Sequence, residues 1–300
     1  MSQPVPQSSH ASAGAQVGTA SEAEMADQAR RIAAQAAAGD TSVFSLPMAE
    51  LSFADPIKWV RAGWADFKRV PGIGIFYGGC FVLMGWMLMG VFKYAPAYTL
   101  ALSAGFLLMG PLMCLGLYYA SACLERGEQP NIFTSLVAWR SCLNTVMIFG
   151  GVLLILEMLW GRASLIVFAL SFDGIPDFKG SLMALLDPQN ISFIIAYVAV
   201  GSVFAALIFS VSVIAMPMIL DRDVDAVTAA LMSMRLVLTQ MGVMVWWGVL
   251  IATIIGLAML PGFVGLLVAG PVIGHASWHA YRAVFGVPER SALFAATPRR

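Results

Sequence analysis

Two histidines close to the end of the chain have a spacing that suits ligand binding. His275 and His279 are four residues apart and therefore share one face of a helix. Imidazoles at this spacing can bind a metal ion or a haem iron when other groups complete the coordination. Alternatively, they belong with Trp278 and Tyr281 to a belt of amphipathic side chains at the end of an apolar helix. A metal or haem is therefore an open hypothesis, and no other cofactor is predicted.

Three aspartates are expected at the same end of the helices as the histidines. Asp221, Asp223 and Asp225 stand just before a helical stretch. Carboxylates beside imidazoles could complete a metal site or form a proton relay. The simpler interpretation is that Asp223 or Asp225 caps the following helix and that Arg222 pairs locally.

The elements that must position these groups are long apolar segments. From Leu236 to Tyr281 the chain contains no Asp, Glu, Lys or Arg, and the chain as a whole is 59% hydrophobic and only 11% charged. A bilayer core about 30 Å thick requires roughly 20 apolar residues for each helical crossing. The sequence therefore predicts an all-α, polytopic integral membrane protein. Its predicted partners are the lipid bilayer and other membrane proteins.

Six transmembrane helices in three hairpins are predicted. Their ranges are about 72–92, 98–124, 141–160, 191–220, 240–260 and 262–278. A further apolar piece, 163–172, is too short to cross alone. It either extends the third helix beyond the bilayer or lies against the outer surface of the bilayer.

Basic residues determine the expected orientation. With six spans both termini lie on one side, and nearly all the Lys and Arg residues then fall on that side, with Lys93, Arg162 and Lys179 on the other. By the positive-inside rule both termini are predicted to be cytoplasmic. Asp66 and Glu125 are expected on solvated helix faces at the same surface.

Glu157 is the acid predicted to lie within a span. A carboxylate at mid-membrane costs roughly 2.5–3.5 kcal/mol on insertion scales, which makes such residues functional candidates. The alternative is a surface pair with Arg162 near the outer end of the third span.

The chain contains an apparent repeat of an interfacial helix followed by a hairpin. Residues 56–70 place Trp and Phe opposite Lys and Arg on a helical wheel, as in helices that lie in the headgroup region. A second such unit spans about 225–281, against about 55–124 for the first. Both contain a Gly-x4-Gly-Pro motif, ending at Gly110-Pro111 and Gly270-Pro271. These pairs are predicted helix breaks, which either kink tightly packed helices or surround a substrate site.

The remaining segments carry little chemistry. Residues 1–50 are interpreted as a disordered or weakly helical cytoplasmic tail, 51–285 as the membrane domain, and 286–300 as a C-terminal cytoplasmic tail. The four cysteines form no CxxC pair, and no basic tract with interleaved aromatics suggests nucleic acid.

Three stretches together carry a family resemblance. They are Asp55-Pro-Ile-Lys-Trp-Val-Arg-Ala-Gly-Trp-Ala-Asp-Phe, the segment 105–127, and the strings Leu-Asp-Arg-Asp-Val-Asp and Gly-His-Ala-Ser-Trp-His-Ala-Tyr-Arg within 216–282. The chain resembles the bacterial integral-membrane family called domain of unknown function 2189 over about residues 50–285. The resemblance implies a protein of the bacterial inner membrane and implies no activity. Where this family resemblance leads us to expect an Asn-Pro pair, the chain has Leu-Thr-Gln-Met-Gly242 leading into the fifth predicted span.

Three functions remain open. A non-enzymatic protein that organises or assembles other membrane components is favoured by the predicted interfacial helices and by the scarcity of polar groups in the spans. A permease for a small or lipid-like molecule is the second, and a metal- or haem-handling protein using the histidine pair is the third. An enzyme is disfavoured because no Gly-rich phosphate loop, Gly-x-Ser-x-Gly motif or pair of intramembrane carboxylates is present.

Overall fold

The computed structural model describes residues 48–94, 99–171 and 191–286, and this part of the chain is helical without strands. The predicted all-α class is therefore confirmed. The helices are α1 Asp55–Arg69, α2 Pro71–Tyr94, α3 Thr99–Glu125, α4 Ile132–Leu136, a 3-10 turn Ala138–Cys142, α5 Leu143–Ser171, α6 Ile191–Ser212, α7 Ala215–Arg222, α8 Ala226–Thr239, α9 Met241–Met259 and α10 Leu266–Phe285.

Four helical segments are long and apolar enough to cross a membrane. They are Pro71–Tyr94, Ile132–Ser171, Ile191–Arg222 and Met241–Met259. Helices α3 and α10 are of membrane length but do not meet this criterion as described, so the six-span arrangement in hairpins stays a prediction. The loop 172–190, nearly all of the N-terminal tail and nearly all of the C-terminal tail lie outside the described residues.

Residues 163–171 continue the third predicted span. Helix α5 runs without interruption from Leu143 to Ser171. Its 29 residues rise by about 1.5 Å each, so the helix is longer than a perpendicular crossing requires. Of the two alternatives left by the sequence, extension of the helix is the one observed.

Helix α10 lies at the centre of the packing. It contacts α1 most extensively, then α2 and α3, and it also contacts α9, while α5 and α6 pair with each other and α6 packs on α8. Close approach depends on glycine: a Cβ on Gly78 of α2 would lie 2.0 Å from the carbonyl oxygen of Leu267. Beside this contact Tyr77 is buried and shares a hydrogen bond of 2.9 Å with Ser135.

The Gly-Pro pairs lie inside helices and do not end them. Helix α3 runs through Gly110 and Pro111, and α10 runs through Gly270 and Pro271. A proline inside a membrane helix is tolerated when neighbouring groups satisfy the carbonyl that it frees. These residues are thus positions within continuous helices.

Gln240 joins the end of α8 to the segment that precedes α1. Its side-chain amide donates to the carbonyl of Ala49 at 2.8 Å, and its side-chain oxygen accepts from the Leu51 amide at 2.7 Å. The Ala49 amide in turn donates to the carbonyl of Val284 in α10 at 3.0 Å. Gln240, which lies in the stretch where an Asn-Pro pair was expected, therefore anchors the segment before α1.

Candidate functional site

Asp66 is buried at the contact between α1 and α10. Helix α1 buries Trp59, Gly63, Asp66 and Phe67 along one side, and the relative solvent accessibility of Asp66 is only 4%. Gly63 makes this possible, because a Cβ there would lie 2.4 Å from the carbonyl oxygen of Val272. The expectation that Asp66 is solvated is therefore wrong, since the side of α1 that faces α10 includes it.

Asp66 connects the two histidines through a serine of α3. The Nε2 atom of His279 lies 2.8 Å from Asp66 Oδ2, and the Ser121 hydroxyl donates to the same oxygen at 2.9 Å. Ser121 Oγ also lies 2.7 Å from Nδ1 of His275. The four side chains form one hydrogen-bonded row across α1, α3 and α10, which we call the polar row.

The hydrogen-bond donors and acceptors determine which atoms of the polar row carry protons. A serine hydroxyl has one proton, and that proton goes to Asp66. His275 Nδ1 must then carry the proton that it donates to Ser121, which leaves Nε2 as the unprotonated nitrogen of the neutral ring. His275 is fully buried and, in the described part of the chain, its Nε2 atom has no hydrogen-bond partner.

The environment of Asp66 favours its ionised form. Burial raises the pKa of this carboxyl, but the His279 hydrogen bond and charge and the Ser121 hydroxyl lower it, and the net pKa lies below the ordinary value. The arrangement therefore holds an anionic Asp66 between a serine and a partly exposed histidine.

A second polar cluster ties the end of α10 to α7 and α3. Tyr281 donates to Asp221 at 2.8 Å and accepts from Arg222 at 2.9 Å. Arg282 Nε lies 2.9 Å from Glu125 Oε2, and its Nη1 atom lies 3.5 Å from Asp221. Glu125 is therefore paired and not simply solvated, and Asp221 joins Tyr281 and Arg282.

The other two predicted aspartates serve the backbone. Asp225 is the N-cap of α8 and accepts from the amides of Val227 and Thr228 at 2.9 and 3.0 Å. Asp223 follows α7 with a left-handed φ of 51°. Neither is among the hydrogen-bond partners of the histidines, so of the two interpretations the helix cap is the one that the structure contains.

A metal centre is not preassembled around the histidine pair. Among the described residues no group of three or more His, Cys, Asp and Glu side chains converges in a way that could hold a metal ion. His279 is bonded to Asp66, and His275 is bonded to Ser121. A single buried imidazole nitrogen offers fewer ligands than zinc, copper or iron sites use.

Glu157 remains a lone acid of α5 in the described structure. Its side chain is half-buried, and no ion pair between it and Arg162 is formed within the described residues. The expected surface pair is thus not observed, and Glu157 contributes to neither polar cluster.

Sequence inspection missed the partners of the histidines. Asp66 had a detectable signal: Trp59, Gly63 and Asp66 follow the 3- and 4-residue spacing of one helix face. Ser121 and Glu125 had none, because only the packing of α3 against α10 brings them near His275 and Arg282.

Helices of membrane length and a helical fold define the class of this chain, which is an integral membrane protein. Residues 98–221 match the family described as Predicted integral membrane protein (DUF2189), the family predicted from the sequence. The resemblance expected over 50–285 extends beyond this match at both ends, and includes α1 and α10. No curated protein and no solved structure matches the chain.

Proposed function

We propose that this chain is a six-span protein of the bacterial inner membrane that organises or assembles other membrane components without catalysing a reaction. The main supporting observation is that the polar side chains that could take part in chemistry are hydrogen-bonded to one another. Asp66, Ser121 and His279 join α1, α3 and α10, and Asp221 joins α7 to α10. Such a network holds the contacting faces of these helices in place.

The surface held in place includes the outer side of α1. Ile57 and Trp64 are exposed there at 43% and 44%, and Lys68 lies 5.9 Å from the ring centroid of Trp64. Arg61 and Arg69 are also exposed on this helix. Aromatic and basic side chains together suit contact with a neighbouring membrane protein at the level of the anionic headgroups.

The positions of the basic residues support the cytoplasmic orientation. Six crossings put the segments that contain these basic residues on the side of α1: Arg126, Arg140, Arg222, Arg235 and Arg282. Lys93, in contrast, lies in the last turn of α2. A bias of Lys and Arg toward one side is the ordinary determinant of membrane orientation.

Photo-cross-linking in native membranes tests the organising function. A benzophenone amino acid at Trp64 is expected to link the same membrane protein in independent preparations, and Lys68→Glu on the same helix is expected to abolish that link. The same probe at Leu83, a lipid-facing position on α2, serves as the control and should not link that protein. Lipid adducts alone at both positions would contradict the organising function.

A permease is the second candidate, and one specific observation favours it. A cavity of about 330 Å³ lies among α2, α3, α9 and α10, between the two predicted repeat units. Reconstituted vesicles that show flux of a small or lipid-like solute would support transport. Vesicles without flux, together with a reproducible cross-linked partner, would leave the organising function.

A further inference from the structure

The cavity between the predicted repeat units is an apolar slot that runs parallel to α10. Along α10 its wall extends from Leu266 to Ser277, which at about 1.5 Å per residue is roughly 16 Å. On α2 the wall reaches Leu88, and on α9 it reaches Met259, so the slot lies toward the α9–α10 turn. Its volume is about 330 Å³.

Glycines shape the walls of the slot. A Cβ on Gly85 would lie 2.6 Å from the ring of Phe263, and a Cβ on Gly270 would lie 2.6 Å from the ring of Phe81. Both rings therefore lie close to the backbone of a neighbouring helix, and both line the slot. Gly270 thus lines the slot from within a continuous helix.

The lining offers almost nothing to a polar ligand. The Ser277 hydroxyl, which lines one end, already donates to the carbonyl of Ile273 at 2.9 Å. No Asp, Glu, Lys, Arg or His is among the described lining residues. Water needs two to four polar partners to occupy a site, and apolar cavities gain most from contact with apolar groups.

We infer that this slot binds one acyl chain of a phospholipid, taken from the membrane leaflet that contains the α9–α10 turn. The length of the slot matches the reach of one leaflet, which is half of the roughly 30 Å hydrocarbon core, or about 15 Å. The flanking α2 and α9 are helices of membrane length, so the medium around the slot consists of lipid acyl chains. This site goes beyond the organising function and does not depend on it.

Labelling with a photoreactive lipid tests the site. The purified full-length protein in dodecyl maltoside is mixed with phosphatidylglycerol that carries a diazirine midway along one acyl chain, then photolysed and mapped by mass spectrometry. Saturable labelling of slot residues on α2 and α10, suppressed by unlabelled phosphatidylglycerol, is the expected result. Labelling that rises linearly with lipid concentration would show annular lipid only and would overturn the proposal.

Two matched pairs of variants locate the site. Leu88→Trp, which fills the slot, is expected to weaken labelling by roughly tenfold, whereas Leu83→Trp on the lipid-facing side of the same helix should not change it. If Leu88→Trp does not elute as a folded protein, Ile255→Phe with Val249→Phe as its control repeats the comparison on α9.

The outcomes also distinguish a second copy of the chain from a lipid. Equal labelling in the filled and control variants would overturn the proposal. A benzophenone amino acid at Leu88 that links two chains equally with and without added lipid would also overturn it, because that result would show that a neighbouring protein occupies the slot.

Discussion

At the residue scale, the central feature is the buried carboxylate of Asp66, whose hydrogen-bond partners lie on other helices. Asp66 receives hydrogen bonds from Ser121 and His279, which lie on two other helices. Buried carboxylates are stabilised when donors replace the water that they lose. The polar row therefore connects the position of α1 to the protonation of its members.

Replacing Asp66 by Asn should loosen this contact. The amide keeps the size of the carboxyl but loses the charge that holds His279, so we expect a loss of about 1–3 kcal/mol in the free energy of unfolding. Thermal unfolding in detergent measures the change. In a double-mutant cycle with His279→Ala the two losses should not add, and full additivity would show that the pair does not interact.

The lowered pKa of Asp66 predicts a loss of stability in acid. A carboxyl whose folded-state pKa lies below the unfolded value contributes stability above the unfolded value, and that contribution disappears as the pH falls through the folded-state pKa. Because the unfolded value is near 3.9, the unfolding temperature should fall as the pH drops below about 4. Asp55 and Asp225 also have lowered pKa values, so the measured quantity is the difference between the wild type and Asp66→Asn, which should shrink in acid.

At the element scale, α1 is held by a close approach between two helix backbones. Gly63 faces Val272 and Ala276 of α10, and Trp59 meets Trp247 of α9 edge-on with ring centroids 5.4 Å apart. A helix predicted only to lie on the membrane surface is thus also packed against two others. Trp64 and Ile57 of α1 stay exposed, on the side proposed to contact a neighbouring membrane protein.

Replacing Gly63 by Ala should separate α1 from α10. The added Cβ would meet Val272 O at 2.4 Å and Ala276 N at 2.7 Å, and these backbone atoms cannot rotate away. We expect a destabilisation of about 1–3 kcal/mol, measured by thermal unfolding, since overfilled contacts force backbone shifts. Gly72→Ala is the control, because a Cβ there has nothing within 4 Å. Equal effects of the two substitutions would contradict the role assigned to Gly63.

At the scale of the whole molecule, α10 is the helix against which α1, α2, α3 and α9 pack. Two predicted repeat units contribute the elements that surround it: α1, α2 and α3 come from the first, and α9 precedes α10 in the second. The middle segment supplies the α5–α6 pair. A shorter helix followed by two long helices occurs at both ends of the described fold, and the internal repeat stays a prediction.

Labelling from one side of the membrane tests the six-span topology. In a variant whose four native cysteines are replaced by Ala, Cys introduced at Arg126 or Arg235 should react with a membrane-impermeant maleimide only after the cells are opened. Cys introduced at Lys93 or Arg162 should react in intact, outer-membrane-permeabilised cells. The same accessibility for Lys93 and Arg126 would rule out a crossing by α3.

The sequence by itself determined the properties that depend on local composition. Apolar runs without charge predicted helices in lipid, and the motifs predicted the family now matched over 98–221. A cap by Asp223 or Asp225 was also predicted, and Asp225 is the residue that forms it. Each follows from neighbours along the chain, because backbone hydrogen bonding in lipid and helix capping are local requirements.

Only the tertiary structure decided which polar side chains meet. His275 pairs with Ser121 and His279 with Asp66, whereas Asp221, which the sequence grouped with the histidines, bonds to Tyr281. These partners lie on different helices, with separations of up to 213 residues along the chain. Their meeting depends on the close packing that Gly63 and Gly78 allow between helices, and no periodicity within a single helix encodes that approach.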